Sequence, residues 1–217
     1  IVAFYGAPLD LKNHELMACR TAIKMQERLA VLRGQWQKEG NRWPEIVHHM
    51  QNRIGINTGK MVTGNMGSES RMNYTMMGDT VNLAARLESS AKQYGVYIQI
   101  SDSTYEAVKD QIVVRALDFV RVMGKTEPVK VFELISEKGQ ESETYKKILP
   151  VFHKGLEYYF KQDWDKAIEA FKTADELEEM FPGRKTNPSR VYIPRCENFK
   201  ENPPGDDWDG VWTQTSK

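Results

Sequence analysis

Asn82 and Arg86 are the two residues of this sequence whose types and spacing best suit chemistry. They lie four positions apart, so on a helix both side chains would project from the same face. An amide beside a permanently charged guanidinium can stabilise negative charge that develops on a phosphoryl oxygen. Spacing alone favours a plainer interpretation, a solvated helix face, because most exposed arginines have no specific role. The flanking sequence is needed to distinguish a phosphoryl-binding pair from a solvated helix face.

The segment that positions this pair begins as a strand and continues as a helix. Residues 74–77 are bulky or suited to extended structure, and Gly78 then interrupts the run. Asp79 has the short carboxylate that commonly caps the N-terminus of a helix. Beyond it, apolar residues recur at helical spacing as far as Gly95, a residue type that ends helices. The pattern therefore predicts a strand, a glycine turn and a helix that carries the pair.

The other predicted elements surround this segment. Residues 1–5 indicate a buried strand, and Asn13 is expected to cap a helix that runs to about Lys38. Two short strands at 53–57 and 61–64 are predicted to form a hairpin, followed by a polar loop at 64–73. The later predictions are strands at 96–100, 118–122 and 129–135, a helix at 101–108, and a turn at 124–127.

Composition excludes several classes of protein. The 217 residues suffice for one domain and a smaller appendage. Thirty basic and thirty acidic residues balance each other, which argues against a nucleic-acid partner. No apolar run approaches the roughly 20 residues that span a bilayer. Cys19 and Cys196 show no metal-ligand spacing, so a reduced, cytoplasmic setting is expected.

The run from Tyr74 to Glu88, Tyr-Thr-Met-Met-Gly-Asp-Thr-Val-Asn-Leu-Ala-Ala-Arg-Leu-Glu, resembles the signature of the class III nucleotidyl cyclases, the adenylate and guanylate cyclase family. Residues 53–59, Arg-Ile-Gly-Ile-Asn-Thr-Gly, are similar to a second family motif, and Gly64 and Gly67 follow in the right order. The resemblance covers roughly residues 1–135. It implies an α+β fold of ferredoxin-like type, with 1–136 as the C-terminal portion of a catalytic domain of the bacterial adenylate cyclase type.

The resemblance gives each candidate residue a role. Asn82 would orient the ribose through its ring oxygen, and Arg86 would meet the charge that grows on the α-phosphate. Lys125, in a turn that resembles the family's Gly-Lys turn, would hold the β- and γ-phosphates. Thr75 stands where the family contacts the purine edge, and Met76 would add a backbone contact to the base. Asn82 and Arg86 are thus the predicted catalytic residues, and the other three the predicted substrate-binding residues.

The activity that the resemblance implies is conversion of ATP to 3′,5′-cyclic AMP and pyrophosphate, at a site shared by two subunits of a homodimer. Two ions, Mg²⁺ or Mn²⁺, would take part. Their aspartate ligands are expected upstream of Ile1, so no metal ligand is assigned here and residues 1–217 alone are predicted to be inactive. The catalytic region is expected in the cytoplasm, serving intracellular cyclic AMP signalling, with attachment of a parent protein to the inner membrane left open.

Two alternatives remain beside the adenylate cyclase. A threonine hydroxyl at position 75 can accept a hydrogen bond from the exocyclic amine of adenine, which favours ATP over GTP. A guanylate cyclase is the first alternative. The second is a degenerate cyclase-like domain that binds a partner without chemistry, against which the presence of Asn82, Arg86 and Lys125 argues.

Residues 143–181 resemble one tetratricopeptide-type helical hairpin. The matching residues are Gly155, Tyr158, Ala167, Phe171 and Ala174. A single repeat cannot bury its own face, so it is expected to pack on the cyclase body or on a partner protein. Residues 182–217 contain many prolines and glycines and are predicted to be an irregular tail. Its aromatic residues are expected to dock on the hairpin or the cyclase core; they are Tyr192, Phe199, Trp208 and Trp212.

Overall fold

The chain mixes strands and helices as far as residue 137 and is helical beyond it. The computed structural model describes residues 1–120, 128–179 and 184–211. Its strands are β1 (Ile54–Ile56), β2 (Val62–Ser68), β3 (Arg71–Met77), β4 (Ile98–Ser101), β5 (Ile112–Val120) and β6 (Val129–Glu137). Its helices are α1 (His14–Lys38), α2 (Glu45–His48), α3 (Asp79–Tyr94), α4 (Asp102–Val108), α5 (Glu143–Phe160), α6 (Trp164–Leu177) and α7 (Pro188–Glu201). Among the described residues, no helix has both the length and the apolar character that crossing a membrane requires.

Four strands form the main sheet in the order β1-β4-β6-β5. β1 is parallel to β4, and the other two pairs are antiparallel. Helices α1 and α4 cover one face, where Leu16 and Cys19 of α1 pack with Ile100 and Phe132. Helix α3 covers the other face, because its buried residues pack with Val96, Leu117 and Val131. The α+β architecture predicted from the sequence is therefore confirmed.

Helix α3 lies unusually close to the sheet. A Cβ atom added to Gly55 in β1 would lie 2.1 Å from the carbonyl oxygen of Ala84. Any other residue at that position would push the helix away from the strand. On the helix itself, the buried residues follow helical spacing and face the sheet; they are Leu83, Leu87, Ala91 and Tyr94. The predicted helix and its end at Gly95, which adopts the left-handed conformation with φ 64°, are confirmed.

Three predictions about the strands and the loop beside them are wrong. β1 pairs with β4 and not with the strand at 61–64, and β2 pairs instead with β3. The predicted polar loop at 64–73 is therefore most of a second hairpin, whose turn lies at residues 69–70. A short strand finds its partner through tertiary packing, which local spacing does not show. Residues 1–5 are not a strand either, since no described strand pairs with them, and Ile1 is exposed.

The last three helices form one unit around buried aromatic rings. This helical unit, α5 to α7, has a core that includes Phe152, Tyr159, Phe171 and Tyr192. The predicted helical hairpin at 143–181 corresponds to α5 and α6, and its identification as a tetratricopeptide repeat stays a prediction. The hairpin packs on the sheet rather than standing alone, since Ala116 of β5 contacts the same core.

The prediction of an irregular tail at 182–217 is wrong for residues 188–201, which form α7. Pro188 occupies the first turn, where a helix needs no N–H donor, and the side chain of Asn187 caps the helix by accepting from the N–H of Arg190 at 3.0 Å. The prolines argued against a helix, although Tyr192, Cys196 and Phe199 form an apolar stripe at helical spacing. Docking of Tyr192, Phe199 and Trp208 on the hairpin is confirmed, whereas Trp212 lies outside the described residues.

Candidate active site

The turn between β3 and α3 has the form predicted from the sequence. Gly78 has φ 148°, a backbone conformation that favours glycine, and it redirects the chain from the strand into the helix. Its carbonyl oxygen accepts from the N–H of Val81 at 3.1 Å and of Asn82 at 3.3 Å. Asp79 is the first residue of the helix rather than its cap, and Gly78 occupies the cap position. The turn thus sets where the first exposed residues of α3 project.

The loop after β1 holds the first turn of α3 in place. The hydroxyl of Thr80 donates to the carbonyl oxygen of Lys60 at 2.8 Å, and the side-chain amide of Asn57 donates to the carbonyl oxygen of Thr80 at 2.9 Å. A Cβ atom at Gly59 would lie 2.4 Å from the Thr80 methyl group, so the loop passes close to the helix. Neither Asn57 nor Thr80 is assigned a role from the sequence alone. Their place in the two cyclase-like motifs was the available signal.

Asn82 and Arg86 are both exposed, whereas their neighbours Leu83 and Leu87 are buried. Within residues 1–120, 128–179 and 184–211, neither the Asn82 amide nor the Arg86 guanidinium forms a side-chain hydrogen bond or an ion pair. The structure therefore places the two side chains one turn apart on the solvent side of α3, as their spacing predicts. Both groups are available to a ligand, and together they offer an amide and a cation to an anionic group.

Thr75 and Met76 lie on β3, just before the glycine turn, and both are half-buried. Thr75 is directly opposite Gly64 of β2. Opposed residues of an antiparallel pair project from the same face, and no heavy atom lies within 4 Å of where a Cβ at Gly64 would be. The missing side chain leaves room beside Thr75. The strand thus presents a hydroxyl next to open space at the entrance to α3.

Lys125, the fifth predicted site residue, lies outside the described residues. The strands predicted on either side of it are present as β5 and β6, which pair antiparallel, and β5 begins at Ile112 rather than at 118. The structure thus brings Thr75, Met76, Asn82 and Arg86 together on one strand-turn-helix segment, and the place of Lys125 relative to them stays a prediction.

The described residues do not fit a resident metal site. Across the parts of the chain that the structure describes, no three His, Cys, Asp or Glu side chains are grouped so that they could hold a metal ion. No catalytic step is therefore assigned to a metal held by this chain. The thiols offer no alternative chemistry, since burial raises the pKa of both Cys19 and Cys196 to about 12. A thiol of that pKa is not a useful nucleophile at neutral pH.

Comparison with known proteins gives a family match over the same region. The model of the adenylate and guanylate cyclase catalytic domain matches residues 3–136. The chain is 34% identical over 196 residues to the terminal-differentiation specific adenylate cyclase of Dictyostelium discoideum, and 33% identical over 135 residues to adenylate cyclase 1 of Rhizobium meliloti. These alignments cover 88% and 62% of this chain. The chain spans 9% of the Dictyostelium protein's length and 19% of the Rhizobium protein's length.

Solved structures show the same fold. The adenylyl cyclase CyaB from P. aeruginosa is 32% identical with a TM-score of 0.51, and the match covers 64% of this chain and 68% of that one. The guanylyl cyclase Cya2 is 31% identical with a TM-score of 0.50, covering 64% and 66%. The Dictyostelium alignment, at 88% of this chain, is too long to end at residue 136, so that similarity continues into the helical unit.

Proposed function

Because the chain belongs to the family of adenylate and guanylate cyclase catalytic domains, we propose that it converts ATP to 3′,5′-cyclic AMP and pyrophosphate as part of an adenylate cyclase. The observation that carries this proposal is the exposed pair on α3, Asn82 and Arg86, one turn apart and directly after Gly78. The relatives named adenylate cyclase support the choice of ATP.

The proposed reaction is an in-line displacement at the α-phosphorus. The ribose 3′-oxygen forms a bond to the α-phosphorus while the bond to the oxygen of the β-phosphate breaks, pyrophosphate leaves, and the 3′-hydroxyl proton passes to water. Charge accumulates on the α-phosphoryl oxygens in the transition state. The Arg86 guanidinium donates to those oxygens, and the Asn82 amide holds the ribose so that its 3′-oxygen points at phosphorus. Lys125 is proposed to hold the β- and γ-phosphates.

Base selection is proposed to depend on Thr75. Its hydroxyl accepts from the exocyclic amine of adenine, whereas the oxygen of guanine at the same position would require that hydroxyl to act as the donor. The open space at Gly64, directly opposite Thr75, leaves room for a base against β3. Guanylate cyclisation is the second candidate, because the chain resembles the guanylyl cyclase Cya2 about as closely as it resembles CyaB.

The active site is proposed to form between two copies of the catalytic domain, since Asn82 and Arg86 face solvent in the single chain. The Mg²⁺ or Mn²⁺ ions that the family resemblance implies are assigned no ligand in this chain. Residues 1–217 alone are therefore proposed to be inactive, and absence of product from residues 1–217 is part of the test.

The test is a cyclase assay of the full-length protein with Mn²⁺ and either ATP or GTP. Arg86→Ala should lower kcat by roughly 10²–10³-fold, as expected on removal of one preorganised donor to a developing oxyanion. Arg28→Ala is the matched control, because Arg28 is an exposed arginine of α1, on the opposite side of the sheet. Cyclic GMP as the main product would establish the second candidate. No product from either nucleotide, by a folded dimer, would refute cyclase activity and indicate a partner-binding domain.

A further inference from the structure

Strand β5 contains a bulge that the sheet itself leaves incompletely bonded. Ala116 is opposite Phe132 of β6 and Asp118 is opposite Val131, so Leu117 is an extra residue on β5. A bulge of this kind leaves the extra residue without a ladder partner. β5 also lies at one edge of the four-stranded sheet. The three residues 116–118, called the β5 bulge below, therefore need hydrogen-bond partners from elsewhere.

The helical unit supplies a partner for each residue of the β5 bulge. The N–H of Ala116 donates to Nε2 of His153 on α5 at 3.2 Å. The carbonyl oxygen of Leu117 accepts from the hydroxyl of Tyr192 on α7. The carboxylate of Asp118 accepts from the Arg195 guanidinium, also on α7, at 2.6 Å. Contacts with three consecutive residues fix the edge strand on the helical unit.

Asp118 also contacts α3, the helix that carries Asn82 and Arg86. The hydroxyl of Tyr94, the last residue of α3, donates to Oδ2 of Asp118 at 2.6 Å, and Arg195 binds the same oxygen. All three side chains are buried. Burial raises the pKa of Tyr94, which keeps its hydroxyl a donor. Burial lowers the pKa of Arg195, but the Asp118 carboxylate and the nearby Tyr192 and Tyr94 hydroxyls together raise it above its ordinary value. One carboxylate oxygen therefore joins α3, β5 and α7.

The end of α3 has two further contacts with the segment around α7. The carbonyl oxygen of Gly95 accepts from Nε of Arg184 at 3.1 Å, and a Cβ atom at Gly95 would lie 2.0 Å from the carbonyl oxygen of Thr186. Val191 of α7 packs on the buried face of α3, which lies opposite the exposed pair. The orientation of α3 is thus set from its C-terminal end as well as from its first turn.

We propose that Arg195 is a positioning residue for the cyclase reaction: through Asp118 and Tyr94 it fixes α3, which carries Asn82 and Arg86, relative to β5, which leads toward Lys125. The proposal rests on the proposed function. Arg86 precedes Tyr94 by eight residues, about 12 Å along the helix axis, so a rotation at the Tyr94 end displaces the Arg86 guanidinium. Misplacement of a catalytic group by about 1 Å can cost roughly 10²-fold in rate.

The contacts of Tyr94 and Arg195 with Asp118 are better explained by a positioning role than by a stabilising role. Replacing a buried ion pair by apolar residues is often neutral for stability, so the presence of the pair does not by itself indicate a stabilising function. A shared acceptor has a different property, because both donors must approach one oxygen from fixed directions. The Arg195 guanidinium also lies 6.0 Å from the Tyr94 ring centroid, which restricts both side chains further.

The test measures kcat and KM for ATP in the full-length protein and three variants, well below their melting temperatures. Tyr94→Phe keeps the ring and removes only the hydroxyl, and Arg195→Gln removes the charge. Both should lower kcat on the order of 10-fold or more and leave KM nearly unchanged, because the transition-state contacts are the ones displaced. Arg190→Gln is the matched control, since Arg190 lies on the same helix and pairs with Asp175 inside the helical unit at 2.8 Å.

Hydrogen exchange of residues 79–94 gives a second readout that does not require activity. Faster exchange in Arg195→Gln and Tyr94→Phe, but not in Arg190→Gln, supports the fixing of α3 through Asp118 even if the wild-type protein makes no cyclic nucleotide. An inactive wild type would refute the proposed function alone. The positioning role is overturned if wild type is active and Tyr94→Phe retains full kcat, or if Arg190→Gln loses as much kcat as Arg195→Gln. If Arg195→Gln does not fold, the kcat of Tyr94→Phe alone tests the positioning role.

Discussion

The imidazole of His153 accepts a hydrogen bond from the backbone N–H of Ala116, with 3.2 Å between the two nitrogens. This bond joins α5 to the edge strand of the sheet. It requires an unprotonated Nε2, because both nitrogens of a protonated imidazole are donors. Burial, together with the nearby Arg115 guanidinium, lowers the pKa of His153 and keeps its ring neutral.

We expect the free energy of unfolding to depend on pH through His153. Its pKa is lower in the folded than in the unfolded chain, so the unfolded chain binds the proton more strongly. The stabilisation is fully present above the unfolded pKa, about 6.5, and falls by up to about 1.4 kcal/mol per pH unit below that value, until the folded pKa is reached. His153→Gln keeps an acceptor for the Ala116 N–H but cannot titrate. Its stability should therefore depend less on pH.

Urea denaturation at a series of pH values measures this effect as the difference between wild type and variant. His14→Gln, which removes a histidine of α1 outside the helical unit, is the control. Parallel profiles for wild type and His153→Gln would show that the ring does not titrate in this window.

Gly155 and Gly34 should respond in opposite directions to the same substitution. Each lies inside a helix, where alanine normally stabilises by roughly 0.5–1 kcal/mol. A Cβ atom at Gly155 would lie 2.8 Å from the ring of Phe171, whereas nothing lies within 4 Å at Gly34. We therefore expect Gly34→Ala to raise the free energy of unfolding and Gly155→Ala to lower it by about 1–3 kcal/mol through overpacking. A stabilised Gly155→Ala would mean that α5 and α6 are less closely packed.

Among the ion-paired arginines of the sheet, Arg115 is the one whose removal should lower the free energy of unfolding most. It is fully buried and binds Glu133 of β6 at 2.7 Å and Glu178 beyond α6. Burial alone would lower the pKa of Arg115, but the two carboxylates raise it by more, so the group stays charged. Arg115→Met leaves both carboxylates buried without this partner and should cost about 3–5 kcal/mol.

Arg20→Met is the matched comparison for Arg115→Met. Arg20 pairs with Glu137 at 2.7 Å, but its side chain is 40% exposed, so its loss should cost at most about 1 kcal/mol. Guanidinium denaturation of both variants gives the two free energies. Equal costs would contradict the prediction that burial sets the difference.

Thr75→Val tests base selection and depends on the proposed function. The substitution keeps the shape of the side chain and removes the hydroxyl that would accept from adenine. We expect kcat/KM for ATP to fall on the order of 10-fold and the preference for ATP over GTP to narrow. Thr173→Val, in α6, is the control because its exposed hydroxyl donates to the carbonyl oxygen of Glu169 in the same helix at 3.0 Å. An unchanged preference for ATP over GTP would mean that the Thr75 hydroxyl does not contact the base.

The sequence predicted those parts of the molecule that local spacing determines. Helix α3 was predicted correctly because its apolar residues follow the helical period between glycines at both ends, and the exposed pair followed from that helix. The pairing of β1 with β4 was missed, because about forty residues separate the two strands. Helix α7 was missed because Pro188 and Pro194 suggested breaks, although one of them occupies a first turn that accommodates proline.

The contacts around the candidate site were the least predictable part. The bonds of Asn57 with Thr80, and of Tyr94 and Arg195 with Asp118, link residues between 23 and 77 positions apart. Nothing in the local pattern distinguishes such residues from other polar ones, because a hydrogen bond across the fold depends on how the elements pack. The bulge that makes Asp118 available to α3 and α7 is likewise a property of the paired strands.

The shared oxygen of Asp118 also bears on where this protein can be divided. The family match ends at residue 136, which suggests a natural junction for fusing the catalytic domain to another output or sensor. A chain cut there would lose His153, Tyr192 and Arg195. The edge strand β5 would then be exposed, and the Asp118 carboxylate would keep Tyr94 but lose Arg195 as a partner. We therefore expect that a catalytic domain transferred from this chain has to include the helical unit, so chimaeras should carry the chain through α7.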